Sequence, residues 1–255
     1  MKTTMIALAA AGLAVGTSSA SATVYSWDWA QGDGGAGINN VAGTFKAISG
    51  SYDDVAETFT WDVTFDDQIT DGYTLAVSPG PDPKGHAGEL ALIYFDASTL
   101  ASPDVTVYSY NGENTQLSWA DGSPAPGIQS PDKIASSLGI NSADIVNASV
   151  SDAGGDRTFS LTLDTTNLSA HLPKHPGPGG ASEWTGVEFG DALGVWLHPV
   201  KGLNTAYGVD GFLNGWNSKK QGWFDAGGFE TVPAPASSLA LAGMGLVACR
   251  RRRKA

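Results

Sequence analysis

The chain has a single cysteine, Cys249, which lies near the C-terminus, so no intramolecular disulfide can form. In an oxidising compartment the fold must therefore rest on core burial. Positive charge is also scarce. Residues 23–231 carry 8 basic against 26 acidic groups, a net of −18, because six of the 14 basic residues lie at the two ends. A body this acidic repels phosphate backbones and anionic bilayers, which excludes nucleic acid as a partner. No stretch of the body shows sustained 3.6-residue periodicity, so helices are expected to be few. No G-x-S-x-G sequence occurs, and the run GDGGAG (32–37) opens no strand–helix unit, which argues against a nucleophile elbow and a nucleotide site. That run, with Asp33, reads as a flexible N-terminal loop.

Aromatic and alternating residues are plentiful. The 8 Trp, 7 Tyr and 9 Phe suffice for a large core, while 33 Gly and 13 Pro supply turns. From Thr58 to Asp66, Phe59, Trp61, Val63 and Phe65 alternate with Thr and Asp, as in a strand with one buried face. Tyr73, Leu75 and Val77 repeat the pattern, and 90–95 is apolar on both faces, as a central strand covered on both sides would be. Val105–Tyr110 ends on the turn signal Asn111-Gly112. Segments 145–151 and 158–164 flank DAGGDR and predict a hairpin. Further strands are expected at 187–189, 194–198, 207–212 and 222–225. Ser130-Pro131 predicts a short helix reaching Leu138. The long linkers 79–89, 121–131 and 172–182 separate no complete strand sets. The expected fold is all-β: one β-sandwich over 23–231, jelly-roll-like, with long Gly/Pro-rich loops.

Catalytic constellations are weak. Glu183, Glu188 and Asp191 are spaced oddly along one segment, so neighbouring pairs point to opposite faces and miss the paired carboxylates of a glycosidase. His171 and His175 are interrupted by Pro173, which forbids a helical ligand pair, and His198 reads as a packed or rim residue. Asp66, Asp67 and Asp71 in DDQITDG are the one cation candidate: a structural calcium ion would take such oxygens, although the spacing is not that of an EF-hand. No other cofactor is implied, and the body reads as non-enzymatic. Trp61 and Trp196 fit strand patterns and are assigned to the core. Trp119, Trp184, Trp216 and Trp223 sit among Gly, Asn, Asp and Ser, a setting that suits stacking on sugar rings or a lid closing the sandwich ends.

The two ends are addresses. Residues 1–22 have a basic start at Lys2, an apolar run from Met5 to Val15 and an A-x-A site before Thr23, the layout of a secretory signal for Sec-type export. Residues 232–255 comprise Val232, Pro233, Ala234 and Pro235, a run of thirteen largely apolar residues (237–249), then Arg250, Arg251, Arg252, Arg253 and Lys254. As a helix that run spans about 20 Å, short of the roughly 30 Å hydrocarbon core. The cationic cluster would stay cytoplasmic, so the tail arrests export and holds the chain in the membrane.

In this order of elements the tail resembles the PEP-CTERM sorting signal of Gram-negative, exopolysaccharide-producing bacteria, with Ala234 in place of the family's central glutamate. The resemblance implies cleavage near the proline motif by exosortase, a membrane transpeptidase. It also implies transient inner-membrane anchoring followed by release to the outer envelope or extracellular matrix. Segments 75–96 and 186–199 look similar to parts of uncharacterised secreted proteins with this tail. The implied role is structural or adhesive within an exopolysaccharide matrix; the second reading is a lectin-like carbohydrate-binding module, and the third a glycan hydrolase.

Overall fold

A computed structural model describes residues 22–33, 37–78, 90–110, 132–169, 189 and 193–226. The strands are β1 (Val24–Ala30), β2 (Gly37–Asn39), β3 (Phe45–Asp53), β4 (Thr58–Phe65), β5 (Gly72–Ser78), β6 (Leu90–Asp96), β7 (Asp104–Tyr110) and β8 (Asp132–Ser136). They continue with β9 (Ile145–Ala153), β10 (Asp156–Asp164), β11 (Gly194–Lys201), β12 (Asn204–Tyr207), β13 (Leu213–Asn217), β14 (Lys220–Gln221) and β15 (Trp223–Ala226). The single α-helix among the described residues, α1 (Thr166–Ser169), is one turn long.

Alternation dictates the architecture. Along β4, Phe59, Trp61, Val63 and Phe65 are fully buried while the intervening residues are only partly covered. Five antiparallel strands form one sheet in the order β1-β3-β4-β10-β9. The second sheet runs β2-β15-β11-β5-β6-β7-β8, with β14 beside β11. Their inner faces share one core, so the molecule is an all-β sandwich. Phe159 of the first sheet meets Tyr73 and Phe95 of the second edge-on, with ring centroids at 5.7 and 5.6 Å. Phe45 stacks on Phe224 across the layers at 4.2 Å. Burying each such ring contributes about 2–3 kcal/mol, offsetting the missing disulfides.

The predicted hairpin is β9–β10, closed by Gly154 and Gly155 at φ +64° and +98°. A two-residue turn matching the strand twist needs positive φ at both positions, which glycine adopts without strain. The apolar-on-both-faces strand is β6. Its Ile93 and Phe95 enter the shared core, whereas Leu92 and Tyr94 lie on the outer face, in a second buried cluster with Phe212 and Leu213. A separate ribbon of β12 and β13 supplies that cover.

Several expectations change. The helix predicted from Pro131 to Leu138 is instead strand β8, paired with β7 through Thr106–Ser136, Val107–Ala135 and Tyr108–Lys133. A helix this short is not self-supporting, and the ladder buries Ile134 and Ala135. Of the strand expected at 207–212, Tyr207 is the last residue of β12, and 208–212 form the turn of the β12–β13 hairpin. Strands β1 and β3 were not anticipated, although VYSWDWA alternates. Of the loop predicted at 32–37, residues 34–36 lie outside the described residues; at its start Asp33 Oδ2 accepts the Ala30 N–H at 2.7 Å.

Candidate functional site

The outer face of the larger sheet gathers the aromatic candidates. In its central rows His198 stands opposite Thr74 and Thr74 opposite Tyr94; one row along, Trp196 faces Ala76 and Ala76 faces Leu92. On the other side of β11 lies β15. Phe224 enters the inner core, so alternation turns the preceding Trp223 outward, where it is 39% exposed. Trp196 meets His198 edge-on at 4.3 Å, and His198 Nδ1 lies 3.2 Å from the Gly222 carbonyl oxygen. Trp216, carried by β13, meets Tyr94 edge-on at 5.1 Å.

Thus Trp223 lies on the strand expected at 222–225 and points to the outer face of the larger sheet, whereas Trp216, expected in a loop-like setting, sits on strand β13 of the separate ribbon and packs onto that face through Tyr94. Trp196, predicted to be core, is half-buried on that same face, because the register of β11 places Val195 and Leu197 inward instead. The burial of its neighbours on both sides of the strand masks this in the sequence. Trp119 and Trp184 lie outside the described residues.

The ribbon that frames this face is held firmly. Thr205 Oγ1 and Tyr207 Oη both donate to Asp96 Oδ2, at 2.5 and 3.0 Å. Burial, with the Asp96 carboxylate beside it, pushes the Tyr207 phenol far above its ordinary value, so it stays a donor. Tyr108 Oη accepts the Leu213 N–H at 3.0 Å, and burial pushes that phenol up to about 12. Ser136 Oγ donates to the Gly211 carbonyl at 2.5 Å, and Lys133 pairs with Asp210 at 2.8 Å. Preorganised in this way, the face presents partly exposed indoles next to Thr74 and His198, an arrangement suited to the C–H face and hydroxyls of a pyranose.

The calcium candidates sit in the turn between β4 and β5, where the carboxylates of Asp67 and Asp71 already serve the backbone. Asp67 Oδ2 accepts the Thr44 N–H at 2.8 Å, and Asp71 Oδ2 accepts the Gly202 N–H at 2.5 Å. Asp66 is exposed. The cation beneath this turn is Arg157: Nη1 donates to the Thr70 carbonyl at 2.8 Å, while Nε and Nη2 grip Asp152 at 2.7 and 2.8 Å. The guanidinium in turn holds the Asp152 carboxyl below its ordinary value. Among the described residues no three His, Cys, Asp or Glu side chains are grouped to hold a metal ion. The histidine pair 171/175 and five of the six glutamates lie outside the described residues, Glu57 being the exception.

The sorting residues Val232–Pro235 and Arg250–Arg253 also lie outside them. Among the described residues no helix is long and apolar enough to cross a membrane. Neither the curated proteins nor the solved structures give a match to the chain. A family model does: residues 231–254 match the PEP-CTERM protein-sorting motif, while the body segments 75–96 and 186–199 lie outside that match. The chain therefore carries, behind an all-β sandwich, the C-terminal membrane-anchoring signal of an exported protein sorted by exosortase.

Proposed function

We propose that the protein is a non-catalytic, structural or adhesive component of the exopolysaccharide matrix of a Gram-negative bacterium. It is exported by Sec-type machinery, held briefly at the inner membrane by its tail, and released by exosortase to the outer envelope or matrix. The observation that carries this reading is the sorting motif at 231–254. The acidic, disulfide-free sandwich is consistent with it, since such a body resists adsorption to anionic lipid after release. Fractionation of a host culture tests the assignment. The protein should partition with the polysaccharide matrix and return to the inner-membrane fraction when exosortase is deleted; finding it unchanged in location after the deletion would refute the reading.

A second reading, carbohydrate binding, is favoured by Trp196, Trp216 and Trp223 sharing one face. Affinity electrophoresis in gels containing the host polysaccharide should show retardation that Trp223→Ala reduces about 2- to 10-fold. This range corresponds to one aromatic contact of about 0.5–1.5 kcal/mol. Because Trp223 is 39% exposed, its loss should lower the melting temperature by only a few degrees, and equal mobility with and without polysaccharide would remove this reading.

A further inference from the structure

The edges of the two sheets are finished differently. An edge strand leaves the N–H and C=O groups of alternate residues without a ladder partner, and proteins blunt such edges with short strands, charges, prolines or a covering segment. Strand β2 has only three residues. Strand β8 is covered by the turn of the ribbon, where Ser136 Oγ holds the Gly211 carbonyl and Lys133 holds Asp210. Strand β1 carries Asp28 near its centre, so two copies paired there would bring like carboxylates together.

Strand β9 has none of these devices. It runs nine residues, IVNASVSDA, about 30 Å, without proline or lysine, and none of the nine is fully buried. Its irregularity is confined to the Ile145 end, opposite Thr162 and Leu163. The one charge, Asp152, is gripped by Nε and Nη2 of Arg157 on the neighbouring strand. The edge therefore carries no uncompensated charge, on a body of net charge −18. Val150 and Ala148 stand opposite Phe159 and Leu161, which are fully buried, so they form the margin of the shared core. Both stay partly exposed, because β9 ends its sheet among the described residues. Asn147, Ser149 and Ser151 are exposed.

We propose that β9 is a self-association surface: two copies of the chain pair edge to edge, antiparallel about a two-fold axis at Ser149, and join their five-stranded sheets into one of ten strands. In that register the strand is complementary to itself. Ala148 of one copy meets Val150 of the other, Asn147 meets Ser151, and Ser149 meets its own equivalent, so apolar lies beside apolar and polar beside polar. The two Asp152 carboxylates lie about 20 Å apart, beyond the roughly 8 Å screening length of physiological salt. A foreign strand would engage the backbone groups alone, whereas a second copy also matches both rows of side chains, and an isologous pair closes at two. Edges of this length bury less than the about 1,200 Å² of a standard interface, so the dimer is weak and reversible. Pairing depends on neither the tryptophans nor a polysaccharide.

Sedimentation equilibrium of the mature protein tests the proposal, at concentrations from about 10 µM to about 1 mM, the range of a small interface. A monomer–dimer equilibrium is expected. It should strengthen several-fold between about 0.05 and about 0.5 M salt, as repulsion between two acidic bodies is screened. Ser149→Lys sets two ammonium groups against each other at the axis and should weaken association at least about tenfold. Ser49→Lys, an equally exposed change of the same charge three strands away, should leave association unchanged or strengthen it. Both variants should keep the parent's melting temperature. Ser149→Cys supplies the only thiol once the tail with Cys249 is gone, and it should oxidise to a disulfide-linked dimer about ten times faster than Ser49→Cys. A monomer throughout, open-ended oligomers, equal effects of the two lysine variants, or equal oxidation of the two cysteine variants would each overturn it.

Discussion

Replacing Arg157 with methionine removes a cation from beneath the turn that carries Asp66, Asp67 and Asp71 while keeping most of the side-chain volume. Arg157 is 5% exposed and spends three hydrogen bonds, two on Asp152 and one on the Thr70 carbonyl. Breaking a buried pair costs about 3–5 kcal/mol when the partner is left stranded. Asp152 is one-third exposed and can turn to water, so the lower end applies, about 3 kcal/mol. In a domain of this size that corresponds to a fall of roughly 6–12 °C in melting temperature. Urea titration followed by tryptophan fluorescence measures it, with an unchanged slope confirming that the unfolding reaction is the same.

The pH dependence supplies a second readout. The Asp152 carboxyl is lowered in the folded state, chiefly by its hydrogen bonds to Arg157, from an ordinary value of 3.8. Its contribution is therefore fully present above that value and is lost as pH falls through the lower folded value. The gap between the parent and Arg157→Met should be constant near neutrality and close in acid. Added calcium or a chelator should leave the parent's stability unchanged, because Asp67, Asp71 and the Thr70 carbonyl are engaged by backbone donors and Arg157. A stability loss below 1 kcal/mol, or a parent stabilised by calcium, would refute this account of the turn.

Other consequences are more local. Gly211→Ala should destabilise the β12–β13 turn by about 1–3 kcal/mol, since φ is +79° and a Cβ would lie 2.5 Å from the Leu138 carbonyl carbon; denaturant titration reports it. Replacing Arg250–Arg253 with neutral residues should let the tail slip from the membrane before processing, so mature protein in the matrix falls and unprocessed chain rises on immunoblots. An unchanged mature mass and location would count against cationic retention.

Strand β4 and the β9–β10 hairpin were legible because one face of each meets the core and the other meets solvent, so burial writes a period of two into the sequence. The strength of the β6 pattern was likewise readable as burial on both faces, but not the identity of its cover, since the ribbon's pairing with itself leaves no local mark. Strand β8 misled because Ser-Pro is a helix-start signal, whereas its ladder to β7 is a contact between segments distant in the chain. The shared face of Trp196 and Trp223 depends on the register between β11 and β15, and the approach of Trp216 depends on the ribbon packing over Tyr94, neither of which single-chain periodicity contains. The tail needed no tertiary information, because length, glycine content and charge order are properties of the segment alone.

Intact mass spectrometry of the protein recovered from its own host tests the central claim most directly, because export and sorting both leave marks on the covalent chain. The account predicts a polypeptide that begins at Thr23 and ends within or beside Val232–Pro235, with any group added by the transpeptidase appearing as extra mass at that end. Recovery of released protein that still carries the arginine cluster at 250–253 would contradict it.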